Sequence, residues 1–124
     1  MLNENKDNLI MDKSYRFSLM IIELYKFLAQ EKKEYILSKQ LLRCGTSIGA
    51  NVNEAQAAIS KKDFISKISI SSKEARESKY WLMLLKDSGY IDPSKKKVKE
   101  LLEEVDSLIN ITTKIVKSSQ ENAK

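Results

Sequence analysis

Residues Arg43–Gln56 read RCGTSIGANVNEAQ, and two incompatible structures compete for them. Two glycines, a threonine and a serine beside an arginine suit a loop that cradles phosphate, whereas the flanking residues suit a helix. A phosphate loop of the Walker type would follow a buried strand and carry a lysine near its end, and this stretch has neither. The preceding SKQLL instead opens a helical pattern that stays in phase as Leu41, Cys44, Ile48, Val52, Ala55 and Ile59. That persistence predicts a helix over about 39–59.

Such a helix is costly by propensity, since Gly45 and Gly49 each lose about 0.8–1.0 kcal/mol relative to alanine. Packing must offset this. The small residues Gly45, Ser47, Gly49, Ala50, Ala57 and Ala58 allow a neighbouring backbone to approach closely, so the stretch reads as a tightly packed central helix. Its polar stripe, Arg43, Ser47, Ala50, Glu54 and Ala57, then needs partners. A hairpin turning near Ser60 brings Arg43 level with Glu77 and Glu54 level with Ser66 and Lys67, predicting an Arg43–Glu77 ion pair with Glu74 nearby. Arg43, Asn51, Glu54, Glu74 and Glu77 are thus the expected polar network of structure and assembly.

Working outward, Asp12 is placed to cap a first helix over about 13–33 and Ser38 to cap the second. Ser60 with Asp63 resembles a capping box for a third over about 61–88. Gly89 suits a left-handed helix end, and Asp92-Pro93 a cap followed by proline at the start of a fourth, about 93–119. The first dozen and last five residues are expected to fray. The 124 residues form a single domain, with 31 % charged and 42 % hydrophobic residues but only three glycines and one proline. This composition favours an all-α fold, and short connections favour an antiparallel up-down four-helix bundle.

Two helices carry more apolar surface than one bundle core uses. The fourth has a single stripe from Val98 to Val116. The first has Phe17, Met20, Ile21, Leu24 and Leu28 on one face and Tyr15, Ile22, Tyr25 and Ala29 on another. The third has Phe64, Ile68, Ala75, Leu82 and Leu85 facing one way, and Ile70, Glu74, Glu77, Trp81 and Leu84 another. The surplus predicts self-association through Tyr15, Ile22, Tyr25, Ile70 and Trp81. A wider monomeric core is the alternative.

Glu23 and Lys26 interrupt the most hydrophobic run, SLMIIELYKFLA, so no membrane span is expected, and the N-terminus has no signal-peptide pattern. A cytoplasmic location follows as an expectation. The lone Cys44 excludes an internal disulfide, and the absence of histidine removes the usual zinc sites and histidine acid–base chemistry. Glu54, Glu74 and Glu77 are the best carboxylate set, but the di-iron pattern of helical bundles needs Glu-x-x-His. Salt-bridged packing is their simpler reading. No catalytic, cofactor or metal residue is assigned.

With these residues placed, the run QLLRCGTSIGANVNEAQAAISKKDFISKISISSKEARESKYWLMLLKDSGYI resembles the bacterial 23S rRNA intervening sequence proteins. The matching positions are Gln40, Arg43, Ser47, Ile48, Asn51, Glu54, Ser60, Asp63, Phe64, Glu74, Glu77 and Tyr90. The resemblance implies a four-helix bundle assembled as a ring-like homopentamer without enzymatic activity. It also implies kinship with the accessory variability determinant proteins of diversity-generating retroelements, basic pentamers thought to bind nucleic acid and a reverse transcriptase.

Charge adds an independent pointer. The net charge is +5, and residues 61–91 hold seven Lys or Arg against four Asp or Glu, while the segments on either side lie within one charge of neutral. On the third helix Lys62, Ser66, Ser69, Lys73, Arg76 and Tyr80 recur along one side, offering cations for phosphates and a ring for an unpaired base. Lys95, Lys96, Lys97 and Lys99 open the fourth helix, where they oppose the macrodipole. These eight residues, Lys62, Lys73, Arg76, Tyr80, Lys95, Lys96, Lys97 and Lys99, are the candidate contacts to RNA or DNA, without sequence readout. The competing readings are a solvated basic face on an oligomeric scaffold for a protein partner and, less well supported, a membrane-surface patch.

Overall fold

The computed structural model describes residues 4–122, with side chains from residue 9 onward. All regular structure among the described residues is helical: α1 (Glu4–Gln30), α2 (Leu37–Ala55), α3 (Lys61–Asp87) and α4 (Lys96–Asn122).

The first helix does not begin at Asp12. It runs straight through that residue because Ile10 lies on the same inward line as Ser14, Phe17, Ile21, Leu24 and Leu28, all buried. An apolar residue one turn upstream outweighs a good capping residue when the core has room for it. At the other end of the chain α4 extends to Asn122, with Ser119 buried, so both outer helices run past their expected bounds. Residues 1–3 and 123–124 lie outside the described residues.

The α1–α2 turn is built on a residue that the sequence pattern passes over. Lys33 adopts φ +54°, in the left-handed region. The Glu34 N–H then donates to the Leu28 carbonyl at 2.9 Å. The buried Glu34 carboxylate accepts from the N–H groups of Ile36 at 2.8 Å, Leu37 at 3.0 Å and Ser38 at 3.0 Å. Glu34, not Ser38, therefore satisfies the first free donors of α2 and places a negative charge at its positive end. The Ser38 hydroxyl donates back to the Glu34 carbonyl at 2.9 Å.

Helix α2 stops at Ala55, four residues short of the expected end, and Ile59 is 94 % exposed. Its phase is lost because the next helix claims the chain. Ser60 is extended and its hydroxyl accepts from the Asp63 N–H at 3.0 Å, while the Asp63 carboxylate accepts from the Ile59 N–H at 3.2 Å. Gly89 takes φ +87° after α3. Beyond it, the Asp92 carboxylate accepts from the Ser94 N–H and hydroxyl at 2.9 and 2.7 Å. These bonds hold the carboxyl of Asp92 below the usual carboxylate range. Asp92 and Pro93 thus make a turn ahead of α4, which starts at Lys96 rather than at the proline.

Cross-helix contacts set the register. Gly45 faces Ile21 and Gly49 faces Ser14 between α1 and α2. The hydroxyl of Ser71 donates to the Ile48 carbonyl at 2.9 Å and that of Ser78 lies 3.3 Å from the Cys44 sulfur, joining α2 to α3. Arg76 with Thr113 and Lys79 with Asp106 join α3 to α4. Lys13 with Glu104 and Lys97 with Glu23 join α4 to α1. Across each of these four seams, the contacts match rising numbers on one helix with falling numbers on the other. Among the described residues α1 and α3, and likewise α2 and α4, make no close backbone approach, so the four surround one core.

Candidate nucleic-acid interface

The inward line of α3, Phe64, Ile68, Ser71, Ala75, Ser78, Leu82 and Leu85, is buried. This anchoring fixes which α3 residues can face outward. Lys62, Ser66, Lys73, Arg76 and Tyr80 are exposed and Ser69 is half-buried, so the basic stripe lies along the outside of the helix. Tyr80 is 59 % exposed, and its ring packs edge-on against Trp81 with centroids 5.3 Å apart.

Residues of α4 complete this face. The Arg76 guanidinium donates to the Thr113 hydroxyl at 3.0 Å, and the Lys79 ammonium pairs with Asp106 at 2.7 Å. A cleft of about 410 Å³ between the helices is lined by Arg76, Lys79, Asp106, Ile109 and Asn110. Asn110 and Thr113 are absent from the sequence-based candidates; projecting the α3–α4 register onto α4 was the signal available for finding them.

The lysines that open α4 are exposed, and contacts place two of them on the α1 side. Lys97 turns toward α1, 3.7 Å from Glu23. Lys95 and Lys97 border a separate cavity of about 570 Å³, floored by Met20, Leu24, Phe27, Tyr90, Val98 and Leu101. Lys95 and Lys97 thus border a surface apart from the Arg76 cleft.

The polar network divides as well. Arg43 pairs with Glu77 and, at 3.3 Å, with Glu74, while the Trp81 indole N–H donates to Glu77 at 3.0 Å. Glu54 pairs with Lys67 at 3.3 Å further along the seam. Asn51 bonds its own helix instead, its amide donating to the Ser47 carbonyl at 2.9 Å. The arginine is half-exposed and faces two carboxylates, so these pairs orient the α2–α3 seam more than they stabilise it. Of the five expected interface residues, Tyr15 and Ile70 are exposed, at 67 % and 38 %, and Ile22 and Tyr25 are half-buried. Trp81 is half-buried against the core and held by Glu77.

Among the described residues, no group of three His, Cys, Asp or Glu is placed to hold a metal ion. Burial pushes the Cys44 thiol up to about 11, outweighing the Ser78 hydrogen bond that favours its thiolate. It is a core side chain, unsuited to nucleophilic chemistry at neutral pH. No described helix is long and apolar enough to cross a membrane.

Four mutually packed helices with a close-approach seam at Gly45 and Gly49 and a basic outer face on α3 define an all-α helical protein with no strand among the described residues. The model of the 23S rRNA-intervening sequence protein family matches residues 6–114, and the chain belongs to that family. A crystal structure of a protein of unknown function from the S23 ribosomal protein family of Bacteroides thetaiotaomicron superposes with a TM-score of 0.85 at 45 % identity, over 90 % of this chain and 98 % of that one. No curated protein matches the sequence.

Proposed function

We propose that the chain is an antiparallel up-down four-helix bundle whose copies close into a ring-like homo-oligomer, a pentamer by family resemblance. In this reading the ring is a non-enzymatic cytoplasmic protein that binds RNA or DNA through its basic faces without sequence readout. The observation that carries it is the exposed placement of Lys62, Lys73, Arg76 and Tyr80 along the outside of α3, with the inward face of the same helix fully engaged. The ribosomal wording in the family's description and in the neighbour's fits an RNA partner. Repetition around a ring turns weak phosphate contacts into a multivalent surface, for which avidity adds about 10²–10⁴-fold.

Binding of labelled RNA, measured by fluorescence anisotropy between about 50 and 200 mM salt, tests the reading because each phosphate contact adds to the salt dependence. Affinity is expected to fall steeply with salt and to vanish when Lys62, Lys73 and Arg76 are all changed to Glu. Salt-independent binding, or binding that survives the triple charge reversal, rejects it. Light scattering supplies the mass, and a monomer rejects the ring. A scaffold for a protein partner is the second reading, favoured by the half-exposed Leu9 and Leu19 of α1, which lie outside the expected interface. It is selected if the protein is oligomeric yet binds no nucleic acid at low salt.

A further inference from the structure

We infer that the α3–α4 groove receives a single unpaired strand, with phosphates against Lys73, Arg76 and Lys117 and a base stacked on Tyr80; this rests on the nucleic-acid reading above. The Arg76–Thr113 contact fixes the register. One turn toward the start of α3 brings Lys73 level with Lys117, and one turn the other way brings Tyr80 level with Asn110. Both lysines are exposed, so at one end each helix carries a cation beyond the cleft lined by Arg76, Lys79, Asp106, Ile109 and Asn110. At the other end Asn110 lines the cleft, and on α3 the 59 % exposed Tyr80 stands one residue beyond the lining Lys79.

The chemistry of the groove favours an anion despite the presence of Asp106. That carboxylate is neutralised by Lys79 at 2.7 Å, so its charge is already answered within the protein. Arg76 spends one side-chain hydrogen bond on Thr113 among the described residues, whereas a guanidinium has five N–H donors in a fork matched to phosphate. Thr113 thus holds the fork in place without consuming it. The Tyr80 ring is braced from the side by Trp81, with ring planes at 72°, which orders it in advance of binding.

Geometry selects the form of the strand. Packed helices lie about 8–10 Å axis to axis, so the valley between them accepts one extended backbone rather than a rigid helix of two. In a duplex the bases are stacked on one another and closed to Tyr80. In a single strand each base offers a face, and aromatic stacking of this kind tolerates any sequence.

The test compares a labelled oligouridylate with a labelled duplex of equal length, at low salt, on the full chain. The single strand is expected to bind at least about tenfold more tightly. Tyr80→Ala is expected to weaken it by roughly 5- to 150-fold, the range for loss of one stacked base, while Tyr80→Phe binds as the parent does. Lys117→Gln is expected to lower the salt slope by about one. These side chains are exposed, and circular dichroism confirms that each variant is folded. Equal or tighter duplex binding, or indifference to Tyr80→Ala, overturns the groove assignment while leaving charge-driven binding intact if the Lys62/Lys73/Arg76 reversal still abolishes it. Failure of both probes to bind removes the parent reading and this inference together.

Discussion

The close approach of α1 and α2 can be tested by adding one methyl group. A Cβ at Gly45 would lie 2.9 Å from Cγ1 and 3.0 Å from Cγ2 of Ile21, a residue with no exposed surface. Ile21 cannot rotate away cheaply, because a β-branched side chain within a helix has one strongly preferred χ1. Overpacking of this kind costs about 1–3 kcal/mol, against which Gly45→Ala recovers about 0.8–1.0 kcal/mol of helix propensity. The net expectation is a loss of roughly 0–2 kcal/mol. Ile21→Ala removes both contacting carbons and by itself costs about 2–5 kcal/mol. In that background the new methyl meets no clash, and Gly45→Ala should become stabilising by about 1 kcal/mol. The double-mutant cycle should therefore give a coupling of roughly 1–3 kcal/mol, measured by urea denaturation at one fixed protein concentration so that any assembly contributes equally. Equal effects of Gly45→Ala with and without Ile21 would refute the reasoning.

Three further outcomes are expected. Glu34→Gln should lower stability by about 1–2 kcal/mol, because its oxygens serve three backbone donors at the start of α2 and the charge interacts with the helix dipole; thermal melting should show it, with Ser38→Ala costing less. Arg43→Met should leave the helical content unchanged by circular dichroism and shift melting or assembly measured by sedimentation, since it removes the cation paired with Glu74 and Glu77; no change in either would reject a role for the pair. Cys44 should resist iodoacetamide at pH 8 in the native protein and react on unfolding. Its raised thiol pKa adds a sign. The unfolded thiol loses its proton near 9 and the folded one only near 11, so this contribution to stability is complete below pH 9 and is lost as the pH rises toward 11.

Much of the fold could be read from the residues. The inward line Leu41, Cys44, Ile48, Val52 and Ala55 is visible as periodicity, and the α2–α3 register follows from the cap at Ser60, so the Arg43–Glu77 contact could be located before any coordinates. The ends of helices were less legible, because several residues compete for each role. Ser38 outranks Glu34 as a cap by type, yet only Glu34 sits where a left-handed Lys33 folds its carboxylate back over three N–H groups. Ile59 matches the α2 phase, but the chain there is committed to Asp63 and Ser60. The candidate site was legible on α3 and incomplete on α4. Periodicity assigns a face within a helix, whereas Asn110 and Thr113 acquire meaning only beside Arg76.

Helix α3 carries three different faces, and their separation bears on how assembly and binding can coexist. One face is buried. A second, beside α2, brings Glu74, Glu77 and the half-buried Trp81 to Arg43, with Ile70 exposed nearby. The third is exposed and carries Lys73, Arg76 and Tyr80, of which Arg76 reaches Thr113 of α4. Were copies to meet through the expected interface, Tyr15, Ile22 and Tyr25 of α1 and Ile70 and Trp81 of α3, none of the residues lining the α3–α4 cleft would be among the contacts, and a bound strand would compete with none of these residues. Tyr80 and Trp81 are adjacent in sequence and in edge-on contact, yet they belong to opposite sides of this division. Substituting one should change binding and substituting the other should change assembly, which makes the pair the sharpest place to ask whether the two surfaces are independent.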